Sequence, residues 1–119
     1  MKVFLVEDSP LLRERLMALL GAIPGAETVG HAESTTEAIE KIAATRPDVV
    51  VLDLSLKESN GFDVLRAFRD SAIAFYVLTN HPIDGFRRVA DRLGAKAFLD
   101  KSTEFDRLRE LLKARAAAS

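Results

Sequence analysis

Asp53 closes an apolar run, Asp48-Val49-Val50-Val51-Leu52-Asp53, and Glu7-Asp8 closes another, Lys2-Val3-Phe4-Leu5-Val6. Two runs that read as buried strands and both finish in acid suggest one pocket holding three carboxylates. Such a cluster either binds a hard cation or has its ionisation displaced. Thr79 follows a third run, Phe75-Tyr76-Val77-Leu78, and Lys101 a fourth, Ala97-Phe98-Leu99-Asp100. An acid pair, an aspartate, a hydroxyl and a lysine, each at a strand end, form a constellation suited to a cation and a charged oxygen-rich ligand. Any one of them alone would be unremarkable: acids cap helices and line loops, and a lone lysine belongs to the surface.

The elements that position these residues follow from periodicity and punctuation. Strands are expected at about residues 2–6, 27–32, 48–53, 73–78 and 96–99, and helices at about 10–21, 34–46, 62–68, 83–93 and 104–115. Ser9 caps the first helix and Pro10 takes its first position, where a missing N–H costs nothing; Leu12, Leu16, Leu19 and Leu20 form its stripe. Ser34-Thr35-Thr36-Glu37 reads as a capping box, with Ala38, Ile39, Ile42 and Ala43 facing inward and Arg46-Pro47 as the stop. Ile83, Phe86, Val89, Ala90 and Leu93 are the apolar positions of the fourth helix, which Gly85 weakens by ~1 kcal/mol relative to alanine. Thr103, with Asp106 three residues on, is the expected cap of the fifth, and the tail 114–119 is expected to fray.

The run ending in Asp53 is apolar on both faces, as a central parallel strand covered on each side would be. Strict alternation of strand and helix argues for an α/β fold with one parallel sheet and helices on both faces. In such sheets the site lies outside the carboxyl ends of the strands, where every residue named above falls. The 119 residues suffice for one domain, 1–119, with a substantial core. A formal net charge of −1 gives no electrostatic footprint for nucleic acid or anionic lipid. The chain has no cysteine, which excludes disulfides and thiolate chemistry and agrees with a cytoplasmic location. No stretch approaches the ~20 apolar residues of a membrane span, and Met1-Lys2-Val3-Phe4 enters a strand directly, so no signal peptide is expected.

With Glu7-Asp8, Asp53, Thr79, Phe98 and Lys101 in this order, the chain resembles the receiver domains of two-component response regulators, close to the chemotaxis regulator type. Lys101 stands three residues after Phe98 and Gly61 eight after Asp53, the family's intervals. The resemblance implies a five-stranded parallel sheet in flavodoxin-like order 2-1-3-4-5. It implies that Asp53 takes a phosphoryl group from a histidine kinase or phosphotransfer protein. Asp8 and Asp53 would hold Mg²⁺, with Glu7 acting through water and Ser55 offering its backbone carbonyl. Thr79 and Lys101 would meet the phosphoryl oxygens, and Phe98 would be an aromatic switch, although a strand aromatic read by itself is simply core.

Several positions depart from the family pattern. Ser102 follows Lys101 where proline is usual, so a trans bond is expected, since a cis bond before a non-proline costs ~2.5–4 kcal/mol. Lys57 also stands where proline is common, Asn80 where a smaller residue is usual, and His81 at the pocket mouth; His31 reads as structural or exposed.

The implied function is a phosphorelay module without enzymatic activity on other molecules, whose helix 4, strand 5 and helix 5 face meets a downstream protein target. Ending soon after the fifth helix, the chain reads either as a single-domain regulator or as a piece shortened from a longer protein, the former preferred, with no direct nucleic-acid or membrane contact expected. The alternatives are a degenerate receiver serving as an unphosphorylated scaffold and a Mg²⁺-dependent phosphatase-like enzyme. Phosphatases of the haloacid dehalogenase type and Toprim nucleases want Asp-x-Asp, where this chain has Asp53-Leu54-Ser55. A flavodoxin-like phosphate loop after the first strand would be repelled by Glu7-Asp8.

Overall fold

The computed structural model describes residues 1–56 and 60–118; Lys57, singled out above, lies outside them. The elements alternate without exception: β1 (Lys2–Val6), α1 (Pro10–Gly21), β2 (Glu27–Ala32), α2 (Thr35–Thr45), β3 (Val49–Asp53), α3 (Phe62–Ala67), β4 (Ala74–Thr79), α4 (Asp84–Arg92), β5 (Ala97–Asp100) and α5 (Phe105–Ala118). The strands form one sheet in the order β2-β1-β3-β4-β5, and every neighbouring pair is parallel. This is the expected doubly wound, flavodoxin-like architecture.

Side chains of a strand point alternately to opposite faces, and here both faces are covered. Phe4, Val6, Val50, Leu52, Phe75 and Val77 join one core, shared with Ala38 and Ile42 of α2, Val64 and Leu65 of α3, and Ala90 of α4. Val3, Leu5, Val49, Val51, Tyr76 and Leu78 join the other, with Leu16 and Leu20 of α1 and Leu108 and Leu112 of α5. Burial on both sides explains why β3 and β4 are apolar throughout rather than alternating.

Register sets the level of the strand ends. Val6 lies opposite Leu52, Asp53 opposite Leu78, and Thr79 opposite Asp100. Glu7, Asp53, Thr79 and Lys101 therefore emerge along one rim of the sheet. Two further bonds tie that rim: the Leu54 N–H donates to the Leu78 carbonyl at 2.9 Å, and the Lys101 N–H to the Thr79 carbonyl at 2.9 Å.

The helix ends follow local chemistry, with some differences from expectation. Ser9 caps α1, its hydroxyl accepting from the Leu12 N–H at 3.3 Å. Ser34 caps α2 by accepting from the Glu37 N–H, but Glu37 Oε1 reaches the N–H of Glu33 at 2.7 Å rather than that of Ser34. Ala43 is exposed, because Thr35, Ala38 and Ile42 already complete the inward stripe. α2 ends at Arg46 in the left-handed region, φ 47°, where Pro47 blocks continuation.

Ile83 precedes α4 and is 53% exposed, so it is not a core position. α4 has no side-chain cap, and Ala90 is its one fully buried residue. Thr103 does not cap α5: the turn begun by Asp100, whose carbonyl accepts from the Glu104 N–H at 3.0 Å, carries the chain one residue further before the helix starts. The expected frayed tail is helical to Ala118, since alanine is a strong helix former and Ala116 packs on the second core. No cis peptide bond occurs among the described residues.

Candidate functional site

Asp53, the last residue of β3, is 1% exposed, and Glu7, one past β1, is 0% exposed. Two carboxylates in the dry interior need counter-charge and hydrogen bonds. Lys101 supplies the charge: its Nζ lies 2.5 Å from Asp53 Oδ2 and 3.1 Å from Glu7 Oε1. Backbone amides supply the rest. Ser55 N–H donates to Asp53 Oδ1 at 2.7 Å and Ser9 N–H to Glu7 Oε2 at 3.0 Å. Asp8 is half-buried, and one carboxylate oxygen from each of Glu7, Asp8 and Asp53 lies within 4.8 Å of the others.

The charges are not all satisfied. Burial first, and then the negative charge of Asp53, push the Glu7 carboxyl up from 4.5 to about 7, against the Ser9 N–H and the Lys101 ammonium, which pull it down. Burial works against the charge of Lys101, but the hydrogen bond and attraction of Asp53, and then of Glu7, outweigh it and its pKa is raised. Glu7 Oε1 is buried and, although at ion-pair distance from Lys101, receives no aligned hydrogen bond. Three clustered carboxylates, one with an unused buried oxygen, suit a hard divalent cation with oxygen ligands.

Thr79 ends β4 and is 1% exposed, its hydroxyl accepting from the His81 N–H at 3.0 Å. Ser55 Oγ accepts from the Asn80 N–H at 3.3 Å, which joins the loop after β3 to the loop after β4. His81 is exposed and lines, with Thr79, Ser55 and Phe62, a cleft of about 450 Å³ at the pocket mouth. His31 is exposed on β2, opposite Leu5. Phe98 lies on β5 with its ring turned inward, 8% exposed.

A Cβ at Gly61 would stand 3.0 Å from Leu54 Cα and 3.1 Å from the Asp53 carbonyl oxygen, close enough that the neighbouring backbone would have to give way for any other residue.

Three participants escaped the sequence reading. The Arg13 guanidinium donates to the Glu7 carbonyl at 3.0 Å and pairs with Glu33 at 3.1 Å. Its place one turn into α1 was the available signal. The side chain of Ser55 and the guanidinium of Arg87, which lies 4.8 Å over the Phe98 ring, reach residues outside their own elements and left no local mark.

The sequence matches the response regulator receiver domain over residues 3–113. It is 36% identical over 130 residues to the DNA-binding transcriptional activator DevR/DosR of Mycobacterium tuberculosis, covering 99% of this chain and 60% of that protein. It is 33% identical over 115 residues to a nitrate/nitrite response regulator protein homolog of Haemophilus influenzae, covering 95% of this chain and 55% of that protein. Among solved structures, a LuxR-family two-component response regulator from Aurantimonas superposes with a TM-score of 0.88 at 31% identity, covering 98% of this chain and 85% of that one. The response regulator domain of Thermotoga maritima CheB gives 0.84 at 25% identity, covering 99% and 94%. The chain thus spans 60% or less of the two curated relatives. Among the described residues no helix is long and apolar enough to cross a membrane.

Proposed function

Since the chain belongs to the response regulator receiver domain family, we propose that Asp53 is its phosphoryl acceptor and residues 1–119 one receiver unit. An Asp53 oxygen attacks phosphorus as the P–N bond of a donor phosphohistidine breaks. The bonding pair leaves with the imidazole, which takes up a proton, and the carboxylate becomes an acyl phosphate.

The observation that carries this reading is the Lys101 ammonium held between Asp53 and Glu7 in a buried pocket. Lys101 already sits beside the attacking carboxylate, where it neutralises incoming charge without reorganisation. Asp8 and Asp53 would hold Mg²⁺, with Glu7 acting through water and the Ser55 carbonyl as a further donor; bound there, the ion supplies Lewis-acid neutralisation of the phosphoryl oxygens. The Ser55 N–H, on Asp53 Oδ1, orients the carboxylate. The Thr79 hydroxyl accepts from His81 and has its own proton to donate to a phosphoryl oxygen.

The acyl phosphate adds about −1.5 to −2 charge at the rim. Movement of Thr79 toward it carries His81 along and disturbs the entry to α4, which has no side-chain cap and contains Gly85. Phe98, beside Thr79's strand, takes part in the resulting shift of the α4, β5 and α5 face between two packings. In this reading the chain acts on no substrate but its own aspartate, in the cytoplasm. It receives from a histidine kinase or phosphotransfer protein and signals to a downstream protein. DNA binding belongs to the name of a longer relative and is not assigned to these residues.

The test is intact mass after incubation with Mg²⁺ and acetyl phosphate, beside Asp53→Asn. A single labile phosphoryl adduct in the parent and none in the variant is the expected result; no adduct in the parent would overturn the reading in favour of an unphosphorylated scaffold.

A further inference from the structure

The turn between β1 and α1 carries Glu7 and Asp8, two of the three clustered carboxylates. Arg13 of α1 holds that turn by its backbone. One terminal nitrogen of its guanidinium, Nη1, donates both to the Glu7 carbonyl at 3.0 Å and to Glu33 Oε1 at 3.1 Å. The Arg13 side chain is only 14% exposed, so it is not a solvated surface charge. A cation taken that far out of water needs its hydrogen bonds to offset the loss of hydration. Glu33, in the loop after β2, is itself placed. Its N–H donates to Glu37 Oε1 at 2.7 Å, and Glu37 pairs with Lys41 at 3.1 Å.

The carbonyl that Arg13 grips belongs to the peptide group joining Glu7 to Asp8. The Glu7 N–H donates to the Ala32 carbonyl at 3.0 Å, so the backbone of Glu7 is held at both its donor and its acceptor. A peptide group is planar. Fixing the Glu7 carbonyl therefore fixes the Asp8 nitrogen, and with it the direction in which the Asp8 side chain leaves the chain. The other bonds of the turn, from the Ser9 N–H to Glu7 Oε2 and from the Arg13 N–H to the Ser9 carbonyl at 2.9 Å, do not act on that peptide group.

We propose that Arg13, oriented by Glu33, is a positioning residue for the cation site: it sets the Glu7–Asp8 peptide so that the Asp8 carboxylate meets Mg²⁺ together with Asp53. The inference rests on the receiver reading, which puts Mg²⁺ among these acids. Arg13 acts through the Glu7 carbonyl and not on the cation. Its charged donor holds that carbonyl more firmly than a neutral one would. Acting by charge alone, a guanidinium beside three carboxylates would oppose the binding of a second cation. The two roles differ in sign: losing the hold weakens Mg²⁺ binding, whereas losing only the charge tightens it.

The experiment is a titration of the isotope-labelled full chain with magnesium chloride, followed by NMR at the Glu7, Asp8 and Asp53 amides. Arg13→Gln should raise the Kd for Mg²⁺ about ten-fold, as loss of a group that orients a metal ligand commonly does. The double variant Arg13→Gln, Glu33→Gln replaces an ion pair by a neutral pair at unchanged net charge, and should weaken Mg²⁺ as much. Arg13→Lys keeps the charge but ends one bond short of Nη1 and lacks the planar fork, so it too should weaken binding, by less. Urea unfolding in EDTA accompanies each variant. A merely structural role would lower stability and leave the Mg²⁺ affinity of the folded protein where it was. In the acetyl phosphate assay, the Mg²⁺ concentration that half-saturates adduct formation should rise in step with Kd, and added Mg²⁺ should recover the lost rate.

Unchanged or tighter Mg²⁺ binding by Arg13→Gln, or a double variant that binds as the parent does, would overturn the proposal. So would a slower adduct at saturating Mg²⁺ with unchanged half-saturation. Where Arg13→Gln fails to fold, Arg13→Lys decides, and a parental Kd in that variant counts against the hold. A parent that binds Mg²⁺ and forms the adduct, beside variants that bind equally well, sinks this proposal alone; a parent that neither binds Mg²⁺ nor forms the adduct sinks the receiver reading instead.

Discussion

Replacing a site acid should stabilise this protein when Mg²⁺ is withheld. Glu7 is fully buried and its carboxyl is pushed up from 4.5 to about 7, chiefly by burial. A carboxyl raised on folding binds its proton more tightly in the folded state. The stability it contributes is complete below pH 4.5 and is lost as pH rises through about 7. Linkage between those two values gives a loss of roughly 2 kcal/mol between pH 5 and pH 7, levelling near 3 kcal/mol above pH 8. Glu7→Gln keeps the shape of the side chain and removes the titration, so the variant should overtake the parent by about that amount at pH 8.

Other shifted groups do not confuse the window. Glu37, lowered by the Glu33 N–H and then Lys41, and Asp100, lowered by Ser102, contribute stability that is lost only as pH falls further. Lys101 is raised and loses its contribution only in strongly alkaline solution. The assay is urea unfolding in EDTA from pH 5 to 8.5 for both proteins, with the parent repeated in excess Mg²⁺, which should flatten its slope by favouring the ionised carboxylate. A parent whose stability is flat or rises over this range, or a variant with the same slope, would refute the reasoning.

Two further outcomes follow from the same pocket. Lys101→Met leaves Asp53 and Glu7 facing each other without counter-charge, so at pH 8 in EDTA it should cost roughly 3 kcal/mol, less at pH 6 as Glu7 takes up a proton, and the rate of adduct formation from acetyl phosphate should fall sharply. Gly61→Ala places a methyl against the backbone of Leu54 and Asp53. A thermal melt should show about 1–3 kcal/mol of lost stability, and adduct formation should slow because the moved carbonyl belongs to the acceptor itself.

The gathering of Glu7, Asp8, Asp53 and Lys101 was legible because each acid or base stands at the end of an apolar run, whereas the strand order came only from the family resemblance. Parallel register then does the assembly: Val6 opposite Leu52 and Asp53 opposite Leu78 bring neighbours in space from residues far apart in the chain. Signals within one helical turn, such as Ser9 with Leu12, were equally readable. Thr103 was misassigned because the start of α5 is decided by a turn at Asp100, not by the best capping residue. The end of α5 depends on Ala116 meeting a core built from remote strands. The hydroxyl of Ser55 on the Asn80 amide, and Arg87 on Phe98, join separate loops and elements and have no periodicity to betray them.

Lys101 and Glu7 meet across ninety-four positions of sequence. Their contact closes a loop that contains nearly the whole chain, so it belongs among the last to form and among the first lost on partial unfolding. During synthesis the acids of β1 and β3 leave the ribosome well before their cation does. Until the fifth strand docks, a nascent chain holds a nest of like charges with nothing to balance it. The completed charge cluster is therefore a certificate of the whole fold, and a molecule lacking its last strand cannot counterfeit it.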